Sequence, residues 1–154
     1  MDTDEDLRSE QSDHRAGEYV AQFPSTWRSL HPLRRGLGDW LRDILPESGP
    51  RFELVLVGSE LFATAVRAHG HHADLVVTLA AWTEGPAVVI EVRWRHGAEP
   101  GSAPAGIQGA EASRALAVVA AVVEVLRIRG RDGVLRAEKQ TAPSGQGFRA
   151  LSRG

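Results

Sequence analysis

Glu60 and Thr64 stand four residues apart, so on a helix a carboxylate and a hydroxyl project side by side. Ser59 lies next to that carboxylate, and His69, His71 and His72 follow, with Asp74 close behind. A serine, an acid and histidines are the parts of a hydrolase triad. Ser59 falls on a core-facing stripe, however, and no strand-to-helix nucleophile elbow surrounds it. The histidines with Asp74 are a ligand set suited to Zn²⁺ or Ni²⁺. Adjacent histidines flanked by glycine are more often simply solvated. His31 and His96 stand alone and read as structural or solvated. Arg93, Arg95, Arg127, Arg129, Arg131 and Arg136 form a second group, either a solvated face or a dock for an acidic partner. By spacing, Trp27 and Trp40 belong to the core or its edge. Trp82 and Trp94 mark the two ends of a hairpin, as a partner surface or as fillers of a pocket.

The elements that must position these groups can be read from periodicity. Tyr19–Phe23 alternates as a short strand ended by Pro24, and Ser25 or Thr26 is placed to cap a helix. Leu30, Leu33, Leu37, Trp40, Leu41, Ile44 and Leu45 recur at helical steps, with Gly36 and Gly38 weakening the helix by about 1 kcal/mol each. Pro46 to Pro50 reads as a loop. Phe52, Val55, Leu56, Ser59, Phe62, Ala63 and Val66 form the core stripe of a second helix, with Val57, Glu60, Leu61 and Thr64 on a neighbouring face. His69-Gly70 terminates it. Asp74–Trp82 and Ala87–Trp94 read as strands of an antiparallel hairpin around Glu84-Gly85-Pro86. His96–Gly109 reads as a long loop, Ala110–Val122 as a helix of small residues, and Val123–Arg129 and Val134–Glu138 as strands. Strands and helices in that order predict an α+β, two-layer sandwich: a mostly antiparallel sheet with helices on one face.

At 154 residues the chain has the length of one domain. Three segments are expected: an acidic, disordered tail over 1–16, a folded domain over 17–139, and a second disordered tail over 140–154. The first tail holds six acids against Arg8 and Arg15, net −4, so with a formal total of −2 the other residues carry +2. It has almost no apolar residues to offset the entropy of ordering. It reads as a solubilising tail or as an arm that docks on a basic surface. The basic residues are arginines apart from Lys139. With no cysteine, a disulfide scaffold, a cysteine zinc site and a thiol nucleophile are excluded. The longest apolar run, Ala115–Val123, is far too short to span a membrane, and no signal peptide is visible, so a cytoplasmic location is expected. The overall charge gives no reason to expect nucleic acid as a partner.

Several strings, in order, resemble the anti-sigma-factor serine kinase family, over about residues 18–139. Phe23-Pro24 followed by Leu33-Arg34-Arg35 is similar to the family's start. Glu53-Leu54-Val55-Leu56-Val57-Gly58-Ser59-Glu60-Leu61-Phe62-Ala63-Thr64-Ala65-Val66-Arg67 resembles its signature helix and is the most specific match. Arg114-Ala115-Leu116-Ala117-Val118-Val119-Ala120 resembles the helix after the nucleotide lid, and Asp132–Glu138 the closing strand. The resemblance implies the histidine-kinase-like ATPase (GHKL, Bergerat) fold and a site for ATP and Mg²⁺.

In that family a helical glutamate is the general base and an asparagine four residues on ligates Mg²⁺; the matching positions here are Glu60 and Thr64. A threonine hydroxyl can ligate Mg²⁺, with a shorter reach. The aspartate that accepts the adenine amino group matches Trp94, three residues before Gly97; an indole donates and cannot accept. A one-residue shift puts Arg95 there, which also fails. The glycine turn that admits phosphates to backbone amides matches Ala112–Ala115, including Arg114, with Gly106 and Gly109 as partial substitutes. The threonine near adenine matches Val134. Each lost ligand or hydrogen bond costs on the order of 1–3 kcal/mol, and every 1.4 kcal/mol is roughly tenfold in affinity. The resemblance with these departures implies a degenerate, pseudo-ATPase member with no bound cofactor. It would act by binding a sigma factor or a STAS-domain anti-anti-sigma protein, with a homodimer also in keeping with the family. The alternative it implies is an active serine kinase for a STAS partner, using ATP and Mg²⁺ with Glu60 as base.

Overall fold

The computed structural model describes residues 17–94, 110–129 and 133–141. Strand β1 (Glu18–Ser25) leads through a 3-10 turn (Trp27–Ser29) into helix α1 (Leu30–Ile44) and then α2 (Ser48–His69). The hairpin β2 (His72–Glu84) and β3 (Ala87–Trp94) follows, then α3 (Ala110–Val122), β4 (Val125–Arg129) and β5 (Val134–Gln140). The five strands form one antiparallel sheet in the order β1-β2-β3-β5-β4. The protein is thus α+β, with a five-stranded antiparallel sheet and three described helices. No described helix is long and apolar enough to cross a membrane.

Strand alternation decides which residues meet the helices. Tyr19, Ala21 and Phe23 of β1 share a face with Val77, Leu79 and Ala81 of β2, Ile90, Val92 and Trp94 of β3, and Leu135 and Ala137 of β5. All are buried in one core with Leu33, Leu37, Trp40 and Leu41 of α1 and Leu54, Val57, Leu61 and Phe62 of α2. Phe23 meets Phe62 edge-on at 6.0 Å between ring centres. From Leu61 to Val66 every residue of α2 is buried. Such a segment has no solvent face because α2 lies on the sheet with α1 and α3 on its flanks.

Several local expectations change. Ser48, Gly49 and Pro50 form the first turn of α2 instead of a loop; a first-turn proline gives up no intrahelical hydrogen bond. Phe52, expected in the core stripe, is 79% exposed, and Val55 and Leu56 are only half-buried, because the buried face of α2 runs through Leu54, Val57 and Leu61. Neither Ser25 nor Thr26 makes a capping bond: Ser25 Oγ donates instead to Gly70 O at 2.6 Å, tying the end of β1 to the end of α2. Gly36 is a point of close approach, where an added Cβ would strike the Tyr19 hydroxyl. Strand β2 extends beyond both ends of the expected Asp74–Trp82, and β4 starts two residues after Val123. Of the tail expected at 140–154, Gln140 instead ends β5 and Thr141 N–H donates to Pro86 O; the rest of it, the tail expected at 1–16 and the loop at 96–109 lie outside the described residues.

Candidate functional site

Helix α2 presents Glu53, Glu60 and Thr64 along one side, since seven- and four-residue steps nearly superpose on a helix. That side looks toward α3 and β5. Lys139 Nζ of β5 pairs with Glu53 at 2.7 Å and donates to Val122 O, the last carbonyl of α3, at 2.8 Å. The C-terminal end of α3 therefore sits beside the first turns of α2. The same end of the sheet collects the last residue of β3 and the turn before β5: Trp94 N–H donates to Gly133 O at 2.9 Å. Val77, opposite Trp94 in register, follows directly on the end of α2 through β2.

Trp94 fills this corner. Its side chain is on the helix-facing side of the sheet, in the core, and the residue is 3% exposed. Gly133 (φ +65°) turns tightly beneath it. An added Cβ there would run into the Trp94 carbonyl oxygen and come within 3.3 Å of the indole ring. Trp94 is thereby a packing residue and not an exposed partner surface. An indole offers one N–H and no acceptor, so an amino group brought to this position would find nothing to donate to.

Thr64 is 1% exposed, and its hydroxyl donates back to Glu60 O at 2.8 Å. This back-bond to the preceding turn is an ordinary use of a helical threonine. It leaves the oxygen enclosed by side chains and out of reach of a hydrated cation. Glu60 itself is half-buried, and among the described residues its carboxylate makes no hydrogen bond or ion pair. Arg114 is exposed on α3. Val134 lies on the opposite face of the sheet, in register with the exposed Arg93, while its neighbour Leu135 points into the core. The structure therefore brings Glu60, Thr64, Trp94 and Arg114 to one side of the sheet and sets Val134 on the other. Gly97, Gly106 and Gly109 fall outside the described residues. At the positions the resemblance would give to Mg-ATP, the donor set does not fit it: the Thr64 hydroxyl is enclosed, Trp94 offers no acceptor, and Val134 is on the other face of the sheet.

The other candidate groups are engaged elsewhere. Ser59 Oγ donates to Val55 O at 2.8 Å and accepts from Arg34 Nε at 3.0 Å, so it ties α1 to α2 and is no nucleophile. His71 Nε2 accepts from the Trp27 backbone at 3.4 Å, and His72 Nδ1 accepts from the Asp74 backbone at 3.1 Å. No three histidine, aspartate or glutamate side chains among the described residues gather as a metal site. Of the arginine group, Arg93, Arg127 and Arg136 share the open face of the sheet, interleaved with acids. Arg93 pairs with the buried Glu91; Arg136 pairs with Glu84 and Glu138 and stacks on Trp82, 5.3 Å from the ring centre. Trp82 Nε1 donates to Glu84 at 3.0 Å. Apart from Arg127 these arginines are paired with acids, which is closer to the solvated face than to the dock among the two expectations; Arg95 and Arg131 lie outside the described residues.

Two arrangements escaped sequence reading. The Glu53–Lys139 bridge carried a signal in Lys139 being the lone lysine. The Trp27 ring lies against His71, 6.0 Å between ring centres, and under Arg67, 5.4 Å from the guanidinium. Nothing in the local sequence announces that cluster, because its members meet only when α2 ends beside β1. No protein-family model and no curated protein matches the chain.

Proposed function

We propose that this chain is a pseudo-ATPase regulator, a degenerate relative of the anti-sigma-factor serine kinases that acts by holding a protein partner. The partner would be a sigma factor or a STAS-domain anti-anti-sigma protein. Supporting the reading are the family-like strings, which fall in order on β1, α1, α2, α3 and β5, and an all-antiparallel sheet with its helices on one face. The observation that carries it is Trp94: at the position matching the adenine-binding aspartate, the chain packs a large, acceptor-free side chain into its core. Thr64, enclosed and bonded to Glu60 O, adds to it. On this reading the histidine-kinase-like scaffold is kept for the surfaces it displays, and partner binding is indifferent to nucleotide.

A second reading, an active serine kinase, draws on one feature only. The Glu60 carboxylate is unengaged among the described residues, as a general base would have to be. A base without a cradle for the phosphates does little, since phosphoryl transfer depends mainly on positioning and electrostatics. The test is titration of the full chain with sigma factors and STAS-domain proteins from its own genome, with and without Mg-ATP. Binding of equal strength in both conditions supports the regulator. A phosphorylated STAS serine, lost with Glu60→Ala, overturns it in favour of the kinase.

A further inference from the structure

The end of the molecule where β1 leaves the sheet is basic and carries an exposed aromatic ring. Trp27 is 43% exposed, between Arg67 and His71. Arg28 is exposed beside it, and His31 and Arg35 share the solvent face of α1 one turn apart. Among the described residues Arg28, His31 and Arg35 form no ion pair. The nearest acid along α1, Asp39, is already paired with Arg42. Tryptophan with arginine is the composition of a binding hot spot. The charge here also contrasts with the open sheet face, where every arginine with a described side chain except Arg127 has its acid.

We infer that the acidic arm, residues 1–16, docks on this basic end, over Trp27, Arg28, His31 and Arg35. Charge complementarity supports the pairing, since the arm is net −4 and this end gathers Arg28, Arg35 and Arg67 around Trp27. The geometry supports the reach. The arm joins the sheet at Glu18, opposite Trp82, while the basic end begins at Ser25, opposite His72. Eight extended residues separate the two, about 25 Å at 3.3 Å per residue. Sixteen residues span at most about 53–58 Å when fully extended. The arm is therefore long enough to cross the gap. Tethering also supplies an effective concentration on the order of millimolar, which a weak electrostatic contact needs. The inference stands on charge and reach and is independent of the functional reading above.

The absence of cysteine makes the test clean. Ser9→Cys in the full chain places a single nitroxide label on the arm, and amide signals are read for selective broadening. The expected result is broadening strongest at Trp27, Arg28 and Arg35. It should disappear in 1 M salt, where the Debye length falls to about 3 Å. It should also disappear in Arg28→Glu/Arg35→Glu, two exposed changes that leave the core untouched, and when Asp4, Glu5, Asp6 and Glu10 are changed to their amides. Broadening strongest at the Glu84–Ala87 turn, beside which the arm joins the sheet, overturns the inference. So does broadening at Trp27 that survives neutralisation of the arm. Broadening that appears only on an isotope-labelled copy mixed with nitroxide-labelled chain shows docking on a second molecule and overturns it too.

Discussion

Replacing Trp94 by alanine should unfold this protein more easily than any other tryptophan substitution outside the α1 core. The indole is 3% exposed and packed in the main core, with Val77 across one strand boundary and Gly133 beneath. Truncating a buried tryptophan removes its transfer free energy and leaves a cavity, together about 3–5 kcal/mol. With a urea slope of about 2 kcal/mol/M, the midpoint should fall by roughly 1.5–2.5 M. For a chain of this size the melting temperature should fall by about 6–20 °C. Trp27→Ala, at a 43% exposed residue, is the control and should cost about 1 kcal/mol or less. Equilibrium urea unfolding followed by far-UV circular dichroism avoids counting the lost fluorophore as a signal change. A cost below about 1 kcal/mol for Trp94→Ala would refute the reasoning. The ring would then not be filling the corner between β3, β5 and α2, and the main support for the proposed pseudo-ATPase reading would go with it.

Gly36→Ala should destabilise the protein despite a helix-propensity gain of up to ~1 kcal/mol, because the new methyl strikes the Tyr19 hydroxyl. Thermal unfolding of the double-mutant cycle with Tyr19→Phe should show positive coupling, and strict additivity would remove the clash from the account. Lys139→Met should cost about 1–3 kcal/mol in urea unfolding and speed hydrogen exchange at the end of α3, since the 13% exposed ammonium side chain holds both Glu53 and Val122 O. Glu53→Gln should cost less than ~1 kcal/mol, as its partner keeps the carbonyl. Thr64→Asn should not create calorimetrically detectable Mg-ATP binding while Trp94 is in place. It should also lower stability by about 1–3 kcal/mol, because a larger polar group enters a fully packed position. Tight binding by Thr64→Asn alone would mean that Trp94 does not close the site.

What the sequence made legible follows from which signals are local. The hairpin is announced by its apolar runs around Glu84-Gly85-Pro86, and the end of α2 by Gly70, whose N–H bonds Val66 O at 2.9 Å. The limits of α3 likewise follow from its own composition. Pro50 misleads because a proline breaks a helix interior and fits its first turn, and the sequence does not say which turn comes first. Gly36 reads as a weak helix position until Tyr19 of another element is seen to need the space. The face of Val134 depends on strand register, where a shift of one residue exchanges core and solvent. Of the candidate site, the spacing of Glu60 and Thr64 was readable, whereas the fate of the Thr64 hydroxyl was not. That fate is set by how completely α1, α3 and the sheet enclose α2.

On the proposed reading the scaffold keeps its form without a ligand because Trp94, buried in the main core at the end of β3, supplies the packing there itself. The most direct test of this claim is calorimetric titration of the full chain with ATP and with ADP, each with and without Mg²⁺. The account predicts no binding heat at millimolar nucleotide in any of the four conditions. Micromolar binding that strengthens with Mg²⁺ would contradict it and would make Glu60 a working base with a phosphoryl group to transfer.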